Sequence, residues 1–387
     1  MRDVVLPDDH GRLVTYRIRG DSPYPEKRAG PFNRKAIAAA HVVADPFADI
    51  SSFEEVALDW EATIAYRARL WRLGFGVAEA MDTAQRGAGL DWPLCRELIA
   101  RTLEAARDHP GAETVCGVNT DQLGEGPHSL DAIVRAYLEQ GEFVAARGGR
   151  PVIMSSRALA VAARTPADYR AVYRRVLQGL DGPVILHWLG PAFDPSLAGY
   201  WGSHDARAAM DTCLALICDH ADRIDGIKLS LLDADLEKRM RAALPSGVRL
   251  YTGDDFNFPE LIAGDGAHHS DALLGIFDPI APAASAALSA LSNGDPGRFH
   301  EILAPTRDLG RHVFAAPTRF YKTGVVFLAY INGFQDHFVM PLGHQAARST
   351  RHLARVLKLA DDAGLIRDAE RAAHRARHFF NACGVPY

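Results

Sequence analysis

Lysine is rare in this chain. Its 387 residues carry six lysines against 37 arginines, so a lysine in an unusual setting is conspicuous. Cysteine is sparse too. The five residues Cys95, Cys116, Cys213, Cys218 and Cys383 include no Cys-x-x-Cys pair, which excludes a disulfide framework or zinc knuckle and leaves buried thiols. No run approaches the ~18 to 20 apolar residues of a membrane span, and the opening Met1-Arg-Asp-Val-Val has no secretory apolar stretch. No membrane partner is therefore expected, and a cytoplasmic location follows by default. The net charge is only -5, and no stripe of Lys and Arg is interleaved with aromatics. A nucleic-acid surface is excluded on that ground, and a small-molecule substrate is expected instead.

What is present is enough to build a large core. The chain is 48% hydrophobic and 24% charged, a globular composition. Its length suits one barrel of ~250 residues with extensions. Residues 3–19 read as a β-hairpin, with Val-Val-Leu-Pro, an Asp-Asp-His-Gly turn and an alternating Leu-Val-Thr-Tyr-Arg-Ile-Arg. A Pro/Gly-rich linker from Gly20 to Phe32 follows.

Eight short apolar runs then alternate with helical patterns. The runs are Lys35–Val43, Gly76–Met81, Thr114–Asn119, Pro151–Ser156, Pro183–Trp188, Gly226–Ser230, Arg249–Gly253 and Ala272–Phe277. Between them, Trp92–Asp108, Ser129–Arg147, Pro166–Gly179 and His204–Ala221 are long enough for crossover helices. Eight such alternations predict an α/β fold, a closed (β/α)₈ TIM barrel rather than a doubly wound sheet. The expected organisation is a hairpin and linker over 1–34, a catalytic barrel over 35–282 and a helical region over 283–387. That last region includes helices at Gln345–Ala363 and Ile366–Ala382, with a turn at Asn293-Gly294-Asp295-Pro296.

Barrel enzymes place their chemistry at the C-terminal strand ends. Here those ends carry His41 and Asp45, Glu79, Asp82 and Thr83, Asn119 and Asp121, Ser155, Ser156 and Arg157, His187 and Trp188, Lys228 and Ser230, Thr252, Asp254 and Asp255, and Asp278. Lys228 is the sharpest of them, because it interrupts the apolar strand Ile224-Asp-Gly-Ile-Lys-Leu-Ser. A lysine amine buried in a barrel can attack a ketone and form an imine, an electron sink that arginine cannot provide. The other reading of the same residue is a lysine that merely pairs with Glu79, Asp82 or Asp254.

Gly226-Ile227-Lys228 resembles the sixth-strand Gly-Ile-Lys motif of the dihydrodipicolinate synthase / N-acetylneuraminate lyase family of class I aldolases. Tyr251-Thr-Gly-Asp-Asp255 resembles its seventh-strand motif, and Asn293-Gly294-Asp295 its Gly-Asp turn between the first C-terminal helices. Ala80-Met-Asp-Thr-Ala-Gln-Arg-Gly, followed by Leu90-Asp-Trp-Pro-Leu-Cys-Arg-Glu-Leu, resembles a degenerate second-strand Gly-Thr-Thr-Gly-Glu motif with its helix. The resemblance spans roughly Lys35 to Thr323. It implies a carbon–carbon lyase that acts through an imine on Lys228, needs no cofactor or metal, and assembles as a homo-oligomer, a dimer or tetramer.

The chain departs from that pattern at two places. His187 stands at or beside the position of a proton-relaying tyrosine, and imidazole can also shuttle protons near neutral pH. Thr83 follows Asp82 where the family has paired threonines, and an aspartate there opposes a keto acid's carboxylate. Lys228, His187 and Thr83 are thus the catalytic candidates. Asp82, Ser155, Ser156, Arg157, Trp188, Ser230, Gly253, Asp254 and Asp255 are the substrate-binding ones, for a 2-keto acid or a keto sugar.

Two loops point to a site larger than pyruvate needs: Pro46–Gly74, with Trp60, Tyr66 and Trp71, and the stretch from Phe193 to His204 around Gly199-Tyr-Trp-Gly-Ser. The second suits a cover for a polyhydroxylated ligand, or ordinary surface packing by Tyr200 and Trp201. Two alternatives stay open. A metal-dependent isomerase or aldolase would draw on His41, Glu79, Asp82, His187, Asp254 and His268-His269, although no HxH or HExxH spacing supports it. A non-catalytic binding barrel is the other. Lys322 lies past the barrel, where pairing within the C-terminal helices is expected.

Overall fold

The computed structural model describes residues 2–81 and 85–386, and the chain divides into two compact units. One unit comprises residues 34–39 and 76–275, the other residues 1–33, 40–75 and 276–387.

The chain starts in the second of these with an antiparallel hairpin, β1 (Asp3–Pro7) and β2 (Leu13–Arg17), in which Val5 pairs with Thr15. The first unit holds the barrel. Its strands are β3 (Ala36–Ala39), β4 (Gly76–Glu79), β5 (Thr114–Val118), β6 (Arg150–Met154), β7 (Val184–Leu189), β8 (Ile224–Ser230), β9 (Arg249–Thr252) and β10 (Asp271–Leu274). They pair in parallel and in chain order, and β10 closes onto β3. All eight sequence runs are therefore strands of the expected barrel. They read as nearly unbroken apolar runs because a parallel barrel strand is covered on both faces.

The interior is filled by Ile37, Ala39, Ala78, Met81, Val115, Val152, Met154, Ile185, Tyr251 and Leu273. Below them the strand starts are tied by charge pairs: Lys35 to Glu113 at 3.0 Å, Arg150 to Asp225 at 2.7 Å and Arg249 to Asp271 at 3.1 Å. Charge pairing at this end serves closure of the barrel, since barrel chemistry belongs at the opposite end.

In chain order the helices begin with α1 (Trp60–Arg72), which belongs to the second unit. The barrel unit adds α2 (Trp92–Ala106), α3 (Leu130–Ala145), α4 (Arg157–Ala162), α5 (Pro166–Gly179), α6 (Ala206–Asp219), α7 (Ala234–Ala243) and α8 (Phe258–Ala263). Their starts follow from polar caps whose oxygens satisfy first-turn N–H groups. Asp91 accepts from Leu94, Ser129 from Ala132 and Asp233 from Leu236, while Thr165 and Asp168 form a capping box.

The second unit continues with α9 (Ala281–Ser292), α10 (Pro296–Val313), α11 (Tyr321–Asn332), α12 (Thr350–Asp362) and α13 (Ala369–Ala382). The Asn293-Gly-Asp-Pro turn separates α9 from α10 as expected. α12 starts later than the periodicity predicts, because Pro341–Ala346 forms a tight turn with positive φ at Leu342 and Gly343. Ser349 then caps the helix by accepting from the His352 N–H. The hairpin is pinned to α12 by Asp361, which accepts from Tyr16 Oη at 2.7 Å and from the Arg19 and Gly20 N–H groups, each at 2.9 Å. Among the described residues no helix is long and apolar enough to cross a membrane.

Candidate functional site

Side chains alternate along a strand, so the barrel-filling residues identify which neighbours also face inward. Ile185 fills the interior, and His187 lies two residues further along β7. In register, Ile185 stands beside Gly226 and His187 beside Lys228, and on the far side of β8 Lys228 stands beside Tyr251. Lys228, His187 and Ser230 therefore share the interior face toward the C-terminal strand ends. All three are buried.

Two glycines make this crowding possible. A Cβ on Gly253 would lie 2.2 Å from Ser230 Oγ and 2.9 Å from Lys228 Cε, and one on Gly226 would lie 2.7 Å from the Tyr251 ring. The Gly-Ile-Lys and Thr-Gly-Asp segments thus owe their glycines to the space that Lys228, Ser230 and Tyr251 occupy.

His187 Nε2 lies 3.2 Å from Ser230 Oγ, whereas its buried Nδ1 has no hydrogen-bond partner among the described residues. Burial, reinforced by the Lys228 charge, holds the imidazole pKa well below its ordinary value, so the ring is neutral at physiological pH. A neutral imidazole with one unengaged nitrogen, next to a buried lysine, can take up and return a proton. Unpaired buried polar atoms are uncommon in folded proteins, and a catalytic role is one of the reasons for which one is kept.

The other sequence candidates have different placements. Ser155 Oγ donates to the His187 carbonyl at 3.0 Å and accepts from the Leu189 N–H, extending the β6–β7 pairing. Ser156 caps α4 through Leu159 and shares a 2.6 Å hydrogen bond with Thr120. Arg157 pairs with Asp194 at 2.6 Å. Asp254 accepts from the N–H groups of Phe256 and Asn257 and from the Asn257 side-chain amide, shaping the turn into α8. Asp255, the next residue, is buried.

Trp188 alternates to the outer face of β7, where its ring centroid lies 6.5 Å from that of Trp201. Asp82 and Thr83 lie outside the described residues. The Gly199-Tyr-Trp stretch is neither a ligand cover nor a surface patch. Tyr200 and Trp201 are buried against Tyr169 and Tyr173, and Tyr200 Oη lies 2.9 Å from Tyr173 Oη. Glu79 points away from the interior and accepts from Thr102 of α2 at 2.7 Å, and His268 and His269 sit in an exposed loop. Among the described residues no group of three or more His, Cys, Asp or Glu side chains forms a metal-holding cluster.

Sequence reasoning missed a second buried polar assembly, within the other unit. His41 follows β3 in the chain and Asp278 follows β10. Their side chains meet with Nδ1 2.9 Å from Oδ2, while His41 Nε2 lies 3.1 Å from Gln335 Oε1. Tyr66 donates to Asp278 Oδ1 at 2.7 Å, and Lys322 Nζ lies 3.6 Å from Oδ2. Burial alone would raise the Asp278 carboxyl pKa, but His41 and Lys322 outweigh it and hold it far below the usual range. His41 and Asp278 were detectable as strand-end residues, since β3 and β10 are barrel neighbours. Tyr66, inside α1, and Gln335, in a loop, carry no local signal.

Solved structures resemble this chain at low sequence identity. A dihydrodipicolinate synthase from Thermotoga maritima superposes with a TM-score of 0.64 at 14% identity, covering 86% of this chain and 99% of its own. One from Aquifex aeolicus gives 0.63 at 14%, covering 86% and 99%. A prophage protein of the dihydrodipicolinic acid synthase family from E. coli K12, in complex with pyruvate, gives 0.64 at 13%, covering 87% and 100%. At these identities the likeness is one of fold. No curated protein matches the sequence. The family described as "Protein of unknown function (DUF993)" matches residues 4–385, and the chain belongs to that family.

Proposed function

We propose that this protein is a Schiff-base aldolase or lyase that cleaves or forms a carbon–carbon bond in a 2-keto acid or keto-sugar-type substrate through Lys228. The observation that carries this reading is the juxtaposition, inside the barrel, of buried Lys228 with the neutral imidazole of His187. The solved structures that share the fold are named as dihydrodipicolinate synthases, and one was obtained with pyruvate.

In this mechanism the neutral Lys228 amine adds to the substrate carbonyl carbon, and the carbonyl oxygen leaves as water to give a protonated imine. His187 accepts the proton of the substrate hydroxyl at Nδ1. The electron pair of the breaking carbon–carbon bond flows into the imine, leaving an enamine and releasing an aldehyde. The enamine carbon then takes a proton back, and water hydrolyses the imine to free Lys228. Ser230 orients His187 through its 3.2 Å contact. Thr83 is assigned, on sequence alone, to assist proton movement. Asp82, on sequence alone, and Asp255 are assigned to substrate hydroxyls, whereas Ser155, Ser156, Arg157, Trp188 and Asp254 support the site only through the structural contacts described above.

The test is borohydride reduction in the presence of pyruvate and a panel of keto sugars, read by intact and peptide mass. A stable adduct on the Lys228 peptide is the expected result. Protein that turns over a ligand yet stays adduct-free overturns the mechanism. A dimer or tetramer accompanies this proposal and is checked by light scattering.

A further inference from the structure

Away from the barrel interior, the second unit holds a cleft of about 270 Å³ lined by Glu26, Ala62, Ala65, Tyr66, Arg69, Arg72, Gly333, Phe334 and Arg367. Its charge is lopsided, with three guanidiniums facing one carboxylate. Glu26 is already committed. Arg69 Nε and Nη2 grip its two oxygens at 2.9 and 3.1 Å, a bidentate pair that neutralises both groups. Arg69 is buried and fixed further by Tyr66 Oη at 3.3 Å and by the Phe334 ring, whose centroid lies 3.6 Å from its guanidinium carbon.

The other two cations are exposed, and neither pairs with an acid among the described residues. Arg72 ends α1, three positions beyond Arg69 and so on the same helix face. The Arg367 guanidinium lies 5.7 Å from the opposite partner of Arg69, the centroid of the Phe334 ring. Ala62 and Ala65 keep the floor free of bulk. Two uncompensated guanidiniums held around a concave surface repel each other unless something negative lies between them, and planar guanidinium forks are matched to carboxylate and phosphate oxygens.

We infer that this cleft binds a small dianion whose oxygens are taken by Arg72 and Arg367, with the Arg69–Glu26 pair and Phe334 as its rigid wall. The shared chemistry is a doubly charged oxyanion group or pair of groups, as in a phosphate monoester or a short dicarboxylate. This site is separate from Lys228 and stands or falls independently of the imine chemistry.

Titration calorimetry on the full chain tests it with glycerol phosphate, succinate and acetate as probes. One of the dianions is expected to bind at one site per chain, at least tenfold more tightly than the monoanion acetate. Tighter binding of glycerol phosphate identifies a phosphate ester, and tighter binding of succinate a dicarboxylate. Arg72→Ala and Arg367→Ala, both at exposed positions that leave the fold intact, should each weaken binding about tenfold. Arg174→Ala, an exposed arginine outside the cleft, and Lys228→Met should leave it unchanged. The proposal is overturned if neither dianion saturates, if the Arg72/Arg367 double variant binds like the parent, or if Lys228→Met abolishes binding.

Discussion

The two units each bury a histidine beside a lysine, and the two pairs are built in opposite ways. Around Asp278 every polar atom that matters is engaged. Both His41 nitrogens have acceptors in reach, Tyr66 donates to the carboxylate, and Lys322 stands against it. In the barrel, His187 keeps one nitrogen unengaged by any described residue, beside Lys228. A fully satisfied buried ion network resists change, because moving any member leaves another uncompensated. A site that must pass protons needs an atom with capacity to spare. The difference separates a structural assembly from a reactive one, even though both contain a lysine and a histidine.

The largest effect expected from this contrast comes from exchanging lysines. Lys228→Met should abolish both turnover and borohydride trapping while leaving the fold cooperative. Lys322→Met should retain trapping at the Lys228 peptide and instead lower the melting temperature. Trapping that moves to the Lys322 peptide would reverse the two assignments.

Next comes the anion of the satisfied cluster. Asp278→Asn keeps the shape but removes the charge that His41, Tyr66 and Lys322 share, and should cost about 3 to 5 kcal/mol in denaturant unfolding. The same carboxylate dictates a pH dependence. Its pKa is depressed in the folded state, so its stabilisation is present above the ordinary carboxylate value of 3.8 and is lost as pH falls below that value. The Asn variant should lose this acid-limb dependence. A parent and variant with parallel acid limbs would mean that Asp278 is not the group responsible.

The architecture was legible in the sequence to within a few residues, because strand placement depends on local apolar runs and on polar caps. Thr114–Val118 and Pro166–Gly179 are apparent from periodicity alone. Lys228 was legible for a related reason, since one lysine in an apolar strand stands out in an arginine-rich chain. The roles of Ser155, Ser156, Arg157 and Asp254 were not. Whether a hydroxyl or carboxylate faces a ligand or closes a turn depends on one step of strand alternation and on N–H groups that neighbouring loops present. The Asp278 cluster was hidden because its members come from α1, α11 and three loops far apart in sequence, and only folding brings them together around one carboxylate and its histidine. The cleft at Arg72 and Arg367 was hidden for the same reason, its two open cations being 295 positions apart among 37 arginines.

On the reactive side, His187→Phe should slow turnover by roughly a hundredfold while still permitting imine trapping. The amine would survive and the proton acceptor would not. Single-turnover measurements separate the two steps, and a variant that turns over at the parental rate would assign proton transfer to another residue. Ser230→Ala should have a smaller effect in the same direction, because it only orients the ring.

The smallest expected effect belongs to a third buried group, which lies in the barrel unit but outside the barrel interior. Glu237 of α7 accepts from Thr252 at 2.9 Å and from Ser270 at 2.8 Å, yet burial outweighs these hydrogen bonds and the Arg241 charge, and its pKa is pushed up to about 8. The sign is opposite to that of Asp278. A carboxyl whose folded pKa lies above its unfolded value contributes stability that is fully present below the unfolded value of 4.5, and that stability is lost as pH rises through about 8. Glu237→Gln retains hydrogen-bonding capacity toward both hydroxyls without a titrating proton. It should flatten the decline in urea midpoint across that window and raise stability by about 1 kcal/mol at the alkaline end. An unchanged alkaline slope would mean that the carboxyl is already ionised at neutral pH, with Arg241, which donates to Ser270, close enough to compensate it. Glu237 would then belong with Asp278 as a compensated ion rather than with His187 as a neutral buried group.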